Sequence, residues 1–422
     1  MKVCVIGSGG REHAIAWKLS KSSNVDKVFC IPGNGGTLGI GENISLPLKP
    51  PFLDLIKFVK DNKIDLVVVG PEGPLVDGIV DYLSKEGIKI FGPTSDASMI
   101  EGSKVFAKLL MKKNNIPTAD FDIFDSFDTA KKFFESHDNW VIKVNGLAAG
   151  KGVVVPSSVD EGIKFLEEVF IEKKFGNSGD KVIIERKIEG FEISVFAITD
   201  GKDIKIISTA QDHKRAFDGD KGPNTGGMGA YSPVPFISDD IIKKVQKKII
   251  YPTIEALGKE NIIYKGILYC GLMIDKNLDP YVLEFNCRFG DPEAQAIIPL
   301  VKTDFYEILE ATTEGLLGKI KFEMYEKFSA TVVLASKGYP GEYEKGKEIV
   351  GDLSENENSI VFHAGTTLKD GKLLTNGGRV LNVVGISYSL KEALKIAYQR
   401  INNINFDGMF YRSDIGKKAL EV

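Results

Sequence analysis

The amino-terminal hundred residues alternate short apolar runs with amphipathic segments, and this alternation restricts the fold more than any other feature. The apolar runs are typical of buried strands, each followed by Gly or Pro, at residues 3–6, 28–31, 66–69 and 88–91. The segments between them have helical periodicity at residues 11–20, 52–62 and 75–85. Strands that alternate with helices predict an α/β fold with a parallel, doubly wound sheet. Ligands of such sheets bind beyond the carboxyl ends of the strands.

The loop after the first strand, Gly7-Ser8-Gly9-Gly10-Arg11-Glu12, is similar to a dinucleotide-binding loop but departs from it. That fingerprint requires glycine where Glu12 stands, and the next strand ends in Pro32-Gly33 instead of a ribose-binding acid. A nicotinamide cofactor is therefore disfavoured. The backbone amides and the start of the following helix can still hold a phosphate. A tight turn explains the glycines equally well.

A second glycine-rich segment, residues 146–152, joins strands predicted at residues 140–144 and 153–155. It fails the Walker A pattern because its spacing is one residue short and a strand follows where a helix should. A glycine-rich hairpin between two strands is the geometry that covers a triphosphate as a lid. We expect Lys143 and Lys151 to pair with phosphate oxygens; the alternative is an ordinary flexible hairpin.

The segment Glu284-Phe285-Asn286-Cys287-Arg288 is predicted to be a strand with three polar side chains on one face. A carboxylate and an amide oxygen two residues apart are ligands that Mg²⁺ prefers. Arg288 on the same face suits a phosphate or a carboxylate. The alternative is a polar outer face with a cross-strand ion pair.

Residues 211–215 and 222–229 bracket a polar loop that is rich in hydrogen-bond donors, glycine and proline. Such loops in folded proteins are usually functional or mobile. His213 alone indicates little, because single histidines are more often structural. The residues together favour a phosphoryl-transfer enzyme that also binds a second anionic substrate.

The rest of the chain predicts a compact α+β unit, then longer strands, then a separate carboxyl-terminal domain. The predicted strands lie at residues 182–185, 192–199, 204–210, 266–274, 281–286, 330–335, 360–363 and 379–385. The predicted helices lie at residues 104–114, 160–173, 241–257 and 390–402.

Charge and composition exclude several classes of protein. The chain of 422 residues carries 54 Lys and Arg against 58 Asp and Glu, which is not the positive charge of a general nucleic-acid binder. It has no run of 18 apolar residues, and its start leads directly into a strand. Its four scattered cysteines predict reduced core thiols, and its four histidines form no metal-binding array. We therefore expect a cytoplasmic, monomeric protein with small-molecule substrates and no nucleic-acid or membrane partner.

The lid at residues 146–152, the segment 185–188 with Glu192, and the Glu284-x-Asn286-x-Arg288 strand resemble the ATP-grasp superfamily of carboxylate–amine ligases. Within it, residues 7–13, 211–215, 222–233, 284–295 and 375–381 are similar to the ligases that join glycine to 5-phosphoribosylamine in purine biosynthesis. The resemblance runs from end to end. It implies a Rossmann-like (pre-ATP-grasp) amino-terminal domain, α+β ATP-grasp domains and a small α+β carboxyl-terminal domain. The implied boundaries are 1–103, 104–190 with the lid at about 121–190, 191–327 and 328–422.

The resemblance also implies a reaction and a set of site residues. ATP would phosphorylate the carboxylate of glycine, and the amine would then displace phosphate from the acyl phosphate. The implied ATP contacts are Lys104, Lys143, Gly146, Gly150, Lys151, Gly152, Glu185, Lys187, Ile188 and Glu192. The implied substrate contacts are Gly9, Gly10, Arg11, Glu72, Asp212, His213, Lys214, Pro223, Asn224, Thr225, Gly226, Gly227 and Arg288. Arg288, Lys151, Asp212 and Lys214 are the expected catalytic residues, and Glu284 and Asn286 the expected ligands of Mg²⁺ or Mn²⁺.

Two positions depart from the family pattern. Asn145 stands where the family usually has Asp, and Arg186 with Phe191 replaces acidic residues near the adenine site. We expect altered ATP affinity at most. The alternatives are another ATP-grasp ligase or a carboxylase, a catalytically silent nucleotide-binding regulator, and a Rossmann oxidoreductase.

Overall fold

The structure, a computed structural model, describes residues 1–137, 139–148 and 151–421. Its amino-terminal sheet is parallel, in the order β3-β2-β1-β4-β5. The strands are β1 (Lys2–Gly7), β2 (Lys27–Pro32), β3 (Glu42–Asn43), β4 (Leu66–Val69) and β5 (Ile90–Phe91). This order confirms the predicted doubly wound sheet. The loops that follow β1 and β4 lie side by side at the carboxyl edge, where such sheets bind ligands.

The helices of this region are α1 (Gly10–Ser20), α2 (Leu53–Asn62), α3 (Glu72–Val76), α4 (Ile79–Lys85) and α5 (Ser95–Gly102). The single helix predicted at residues 75–85 is wrong, because the chain forms α3 and α4 instead. Gly78 lies between them with φ +82°, a left-handed conformation that interrupts a helix.

The lid region has an antiparallel sheet with its own apolar core. Helix α6 (Lys104–Lys113) leads into it. The strands are β6 (Phe121–Phe124), β7 (Trp140–Val144), β8 (Val153–Val154) and β9 (Val182–Arg186), in the order β6-β9-β7-β8. Helices α7 (Phe127–Glu135) and α8 (Val159–Phe170) pack on this sheet through Phe134, Leu166 and Val169. These residues form an apolar core that is separate from the two larger cores of the chain.

The central region supplies long antiparallel strands. They are β10 (Phe191–Thr199), β11 (Ile204–Asp212), the hairpin β12 (Arg215–Phe217) and β13 (Lys221–Asn224), β14 (Gly229–Ser232), β15 (Gly266–Ile274) and β16 (Pro280–Asn286). The helices are α9 (Asp239–Val245), α10 (Tyr251–Lys259), α11 (Glu293–Ile297) and α12 (Phe305–Glu314). A π-helical turn, Gln246–Ile250, joins α9 to α10, so the helix predicted at residues 241–257 is one helical run whose middle turn has π-type instead of α-type hydrogen bonds.

The carboxyl-terminal elements extend the central sheet. The strands are β17 (Phe328–Ser336), β18 (Val350–Gly351), β19 (Ser359–His363), β20 (Thr366–Lys369), β21 (Lys372–Thr375), β22 (Arg379–Ser387), β23 (Ile404–Asn405) and β24 (Met409–Phe410). The helices are α13 (Leu390–Ile401) and α14 (Lys417–Leu420). Strand β17 pairs with β14, so one sheet runs in the order β16-β15-β10-β11-β14-β17-β22-β19. The elements that the sequence separates into two domains therefore share a sheet.

Within the described part of the chain, no helix is both long and apolar enough to cross a membrane. The four cysteines are buried and free, as their apolar surroundings in the sequence predict.

Candidate active site

A buried carboxylate between two lysines lies where the lid meets α6. Glu185 of β9 is 2.6 Å from Lys143 of β7 and 2.6 Å from Lys108 of α6, and all three side chains are at most 8% exposed. Burial favours the neutral acid, but the charges of Lys143 and Lys108 outweigh it and lower the pKa of Glu185. Two ammonium groups against one carboxylate leave an excess positive charge that suits an anionic ligand.

Asn145 connects the lid to the start of α6. Its Oδ1 accepts hydrogen bonds from the Ser103 hydroxyl and the Val105 amide, each at 2.9 Å. Its carbonyl accepts the Lys104 amide at 2.9 Å, and the Lys104 ammonium donates to the Gly146 carbonyl at 3.4 Å. An amide oxygen accepts these bonds as a carboxylate would, so the departure from Asp preserves the connection.

The lid glycines are required by close packing. A Cβ on Gly146 would lie 2.5 Å from the Ser178 hydroxyl, and one on Gly152 would lie 2.3 Å from a Val144 methyl. The side chain of Lys151 is exposed beside them. Gly150, another predicted ATP contact, lies outside the described residues.

The segment at residues 185–188, which is predicted to contact adenine, already makes hydrogen bonds and ion pairs within the protein. The Lys187 amide donates to the Asn139 carbonyl at 2.7 Å, and the Glu185 carboxylate is held by its two lysines. Arg186 is exposed, and Phe191 packs against Phe236 with ring centroids 5.4 Å apart. Adenine contacts by Lys187 and Ile188 stay a prediction.

Glu284 and Asn286 form the oxygen-rich end of β16. Period-two alternation places them on one face, and neither side chain makes a hydrogen bond or an ion pair with the described residues. Desolvation opposes ionisation of Glu284, yet the charges of Lys214, Lys104 and Lys143 outweigh it and lower its pKa. No group of three or more His, Cys, Asp or Glu in the described chain forms a metal cage. Two free hard ligands fit a divalent cation that takes its remaining ligands from phosphate and water.

Glu192, Gln211 and Lys214 form a linked group at the end of β11. The Gln211 amide donates to the Glu192 carbonyl at 2.7 Å, and the Lys214 ammonium pairs with the Glu192 carboxylate. Desolvation, reinforced by Glu293 and opposed by Lys214, raises the pKa of Asp212 to about 7. Asp212 therefore retains its proton to a higher pH than an ordinary carboxyl group does.

The loop that follows is fixed by its own hydrogen bonds. The Thr225 amide and hydroxyl donate to the Lys214 carbonyl at 2.7 and 2.8 Å, and the Gly227 amide donates to the Thr225 hydroxyl at 2.9 Å. Pro223 and Asn224 form the last part of β13 just before it.

His213 has a structural position. Its ring is buried, and its Nε2 accepts the Gly416 amide at 3.2 Å. Burial and the nearby charge of Arg412 lower its pKa to about 4. Its ring therefore contacts the carboxyl-terminal segment, and its predicted contact with substrate has no support from the ring's position.

Arg288 bridges two carboxylates of the amino-terminal region. Its Nε donates to Glu72 at 3.0 Å and its Nη2 to Glu101 at 2.6 Å, while Arg11 Nη2 approaches Glu72 at 3.9 Å. Burial opposes ionisation of Glu72, but Arg288 and Arg11 lower its pKa to about 2. A third N–H of Arg288 donates to the Phe289 carbonyl, which leaves two of its five donors for a ligand.

The loop after β1 packs directly against the region beyond β16. The Gly9 amide donates to Glu12 at 2.6 Å, and a Cβ on Gly9 would lie 3.0 Å from the Asp291 carboxylate. A Cβ on Gly10 would lie 2.4 Å from the Gln295 amide nitrogen. The glycines therefore allow close approach, in addition to any role in binding phosphate.

The predicted residues come together from three regions of the chain. The pairs Arg288–Glu72 and Lys143–Glu185 are direct contacts, and the loops of Gly9 and Gly227 both approach Asp291. Three residues that contact the predicted site residues were not predicted from the sequence: Glu101, Lys108 and Arg379. Asp291 and Glu293 follow the predicted metal strand directly, and their position there favours a site in the sequence as well. Lys108 and Glu101 look like ordinary helical surface residues in the sequence.

Comparison with known proteins assigns the family. Sequence models of phosphoribosylglycinamide synthetase match along the chain: the N domain at residues 1–101, the ATP-grasp (A) domain at 102–294 and the C domain at 329–418. The chain is 50% identical over 418 residues to the phosphoribosylamine–glycine ligase of Caldanaerobacter subterraneus subsp. tengcongensis, covering 98% of this chain and 99% of that protein.

Solved structures agree with this. The crystal structure of phosphoribosylamine–glycine ligase from Thermotoga maritima is 37% identical with a TM-score of 0.85, covering 98% of this chain and 100% of that one. Biotin carboxylase from Campylobacter jejuni shares the fold, with a TM-score of 0.74 at 15% identity over 97% and 92% of the two chains. From its sequence and its fold, the chain belongs to the phosphoribosylglycinamide synthetase family of ATP-grasp ligases.

Proposed function

We propose that this chain joins glycine to 5-phosphoribosylamine with cleavage of ATP, giving glycinamide ribonucleotide, ADP and phosphate. The observation that carries the assignment of the site is the free oxygen pair of Glu284 and Asn286, surrounded by the charges of Lys104, Lys143 and Lys214. A polyanion with a divalent cation matches that arrangement, since the lysines offset phosphate charge and the oxygens hold the metal.

ATP binds between the lid and the central sheet in this proposal. Lys143 and Lys104 contact the phosphates from below, and Lys151 closes over them from the lid. Glu192 contacts the ribose hydroxyls. Mg²⁺ or Mn²⁺ on Glu284 and Asn286 supplies charge neutralisation at the phosphate oxygens when bound.

The chemistry has two steps. A carboxylate oxygen of glycine attacks the γ-phosphorus, and the bond to ADP breaks. The amine nitrogen of phosphoribosylamine then attacks the acyl carbon, phosphate leaves, and the nitrogen loses a proton. Arg288, with two free N–H donors, holds the carboxylate or the acyl phosphate that replaces it. Because the reacting groups need only to be oriented, positioning supplies most of the acceleration.

Asp212 suits the proton transfer of the second step. A base is most effective when its pKa is close to the working pH, and that of Asp212 is about 7. Lys214, paired with Glu192 next to it, contributes the positive charge that favours the acyl phosphate. The loops of Gly9 and Thr225 form the two walls of the phosphoribosylamine pocket.

We place the enzyme in the cytoplasm as a monomer. Four buried free thiols agree with a reducing compartment.

The test is an assay of ADP release with glycine and freshly generated phosphoribosylamine. We expect ADP to form only when both substrates are present, with glycinamide ribonucleotide in equal amount. ADP production that ignores either substrate contradicts the assignment. ADP production that depends on bicarbonate instead would identify a carboxylase.

A further inference from the structure

Four separate parts of the chain meet at one ion pair, Asp291 with Arg379, beside the loops assigned to phosphoribosylamine. We propose that Arg379 and Asp291 are positioning residues. They hold the substrate loop, residues 225–227, at a fixed position relative to the phosphate loop, residues 7–11, and this inference rests on the proposed function. Neither side chain needs to contact the substrate. Arg379 comes from β22 of the carboxyl-terminal region, far from the loops in sequence.

Arg379 holds the substrate loop through backbone carbonyls. Its Nη1 donates to the Gly226 carbonyl at 2.7 Å and to the Asp291 carbonyl at 2.5 Å, with the Gly227 carbonyl at 3.3 Å. Its Nη2 lies 3.3 Å from the Asp291 carboxylate. A planar guanidinium can serve several acceptors at fixed angles, whereas a lysine ammonium on a flexible stem cannot reproduce that fork.

The loop lies close to this ion pair, and glycine is required at position 227. A Cβ on Gly226 would be 3.0 Å from Arg379 Cζ, and one on Gly227 would be 2.4 Å from Pro292. Gly227 also has φ +113°, in the region that side chains disfavour. The Gly226 amide is held from the other side by the Tyr339 hydroxyl at 3.0 Å.

Asp291 extends the connection to the amino-terminal region. Its Oδ2 accepts the Arg11 amide at 3.4 Å at the start of α1, and its Oδ1 accepts the Gln295 amide at 2.8 Å. The Arg379 and Asp291 side chains are 19% and 14% exposed, so the pair is shielded from most solvent. Removing either partner therefore releases one loop from the other.

The experiment measures two ligands separately by isothermal titration calorimetry: glycinamide ribonucleotide and MgADP. For Arg379→Gln we expect the Kd of glycinamide ribonucleotide to rise about 10-fold or more, while that of MgADP changes less than about twofold. The Kd of glycinamide ribonucleotide for Arg379→Lys should lie between those of the wild type and Arg379→Gln, because lysine keeps the positive charge but not the planar set of N–H donors. Asp291→Ala, which removes the acceptor oxygens, should raise the Kd of glycinamide ribonucleotide likewise. The Kd of the double variant should be little higher than that of the weaker-binding single variant.

Arg400→Gln is the matched control. Arg400, also in the carboxyl-terminal region, donates to the Ser354 carbonyl at 2.6 Å and pairs with Asp352 at 2.8 Å, away from the loops. Both Kd values should stay at the wild-type level in this variant. Arg379→Gln that binds both ligands normally, or loses both by the same factor, overturns the inference. A wild-type chain that binds MgADP but not glycinamide ribonucleotide contradicts the proposed function, and the inference fails with it.

Discussion

The glutamate side chains of the candidate site differ in whether they form an ion pair. Glu185, Glu72 and Glu192 each lie against lysine or arginine, whereas Glu284 makes no ion pair with the described residues despite the surrounding positive charge. A carboxylate left free among cations is available to a metal, while paired carboxylates orient the cations themselves. The presence or absence of an ion pair therefore distinguishes the proposed metal ligand Glu284 from the carboxylates that orient lysine and arginine side chains.

We expect Glu284→Gln to raise the Mg²⁺ concentration needed for half-maximal ADP release by at least roughly 10-fold, since a neutral amide is a weaker ligand for a hard cation. The measurement is the rate of ADP release against Mg²⁺ at saturating ATP. Glu314→Gln, a change of the same kind at a glutamate paired with Lys89, should leave the curve in place. If Glu284→Gln shows the same dependence on Mg²⁺ as the wild type, the proposal that Glu284 binds the metal is wrong.

At the scale of elements, the lid hairpin is determined by packing between its two arms. The Val144 amide donates to the Gly152 carbonyl at 2.8 Å, and the Val144 side chain is fully buried. The arms can therefore not separate to admit a methyl group on Gly152 without moving Lys143 next to it. The geometry of the hairpin is therefore coupled to the position of Lys143, which we propose as a phosphate contact.

Gly152→Ala should raise the KM for ATP by roughly 10-fold, because overpacking of a filled site costs about 1–3 kcal/mol. The KM for glycine should change less, since we propose that the glycine carboxylate binds at Arg288, which contacts Glu72 and Glu101 and not the hairpin. Steady-state kinetics with each substrate varied will check this. Gly258→Ala is the control, because a Cβ on Gly258 in α10 meets no atom within 4 Å. Equal effects of the two substitutions would contradict the role of Gly152.

At the scale of the whole molecule, the amino- and carboxyl-terminal regions meet through buried histidines. The His363 amide of β19 donates to His13 Nδ1 of α1 at 2.8 Å, and a Cβ on Gly36 would touch both rings. Burial, with the neighbouring His363, lowers the pKa of His13 to about 3, and burial lowers that of His363 to about 4. Both rings are neutral in the folded protein, and a protonated His13 Nδ1 could not accept its hydrogen bond.

This contact should make stability depend on pH. Because both pKa values lie below the ordinary 6.5, the unfolded chain binds more protons in acid, so the stabilisation is complete above pH 6.5 and is lost as the pH falls toward 3. The loss has a limit of about 1.4 kcal/mol per pH unit for each histidine. Melting temperatures between pH 7 and 4 should fall less steeply in His13→Gln than in the wild type. His137→Gln changes an exposed histidine of the lid, so its melting temperature should depend on pH as that of the wild type does. If the melting temperature of His13→Gln also falls with pH as steeply as that of the wild type, the proposed role of His13 is wrong.

The sequence by itself determined most of the strands and helices that carry the candidate site residues. Period-two and helical patterns gave the parallel sheet, the lid strands and β16, because those elements depend on which side chains must be buried. The spacing of Glu284 and Asn286 predicted that the two side chains share one strand face, since strand geometry alone fixes that relation, whereas their lack of partners among the described residues is seen only in the structure.

Only the tertiary structure decided which groups meet across the chain. Asp291 lies 88 residues from Arg379, and Glu101 lies 187 residues from Arg288, so no local pattern marks these pairs. The union of the central and carboxyl-terminal strands depends likewise on the edge of β14 pairing with β17. Local periodicity reports how each segment is buried, but the partner of a side chain is chosen by packing between distant segments, which a single sequence does not encode at any fixed spacing.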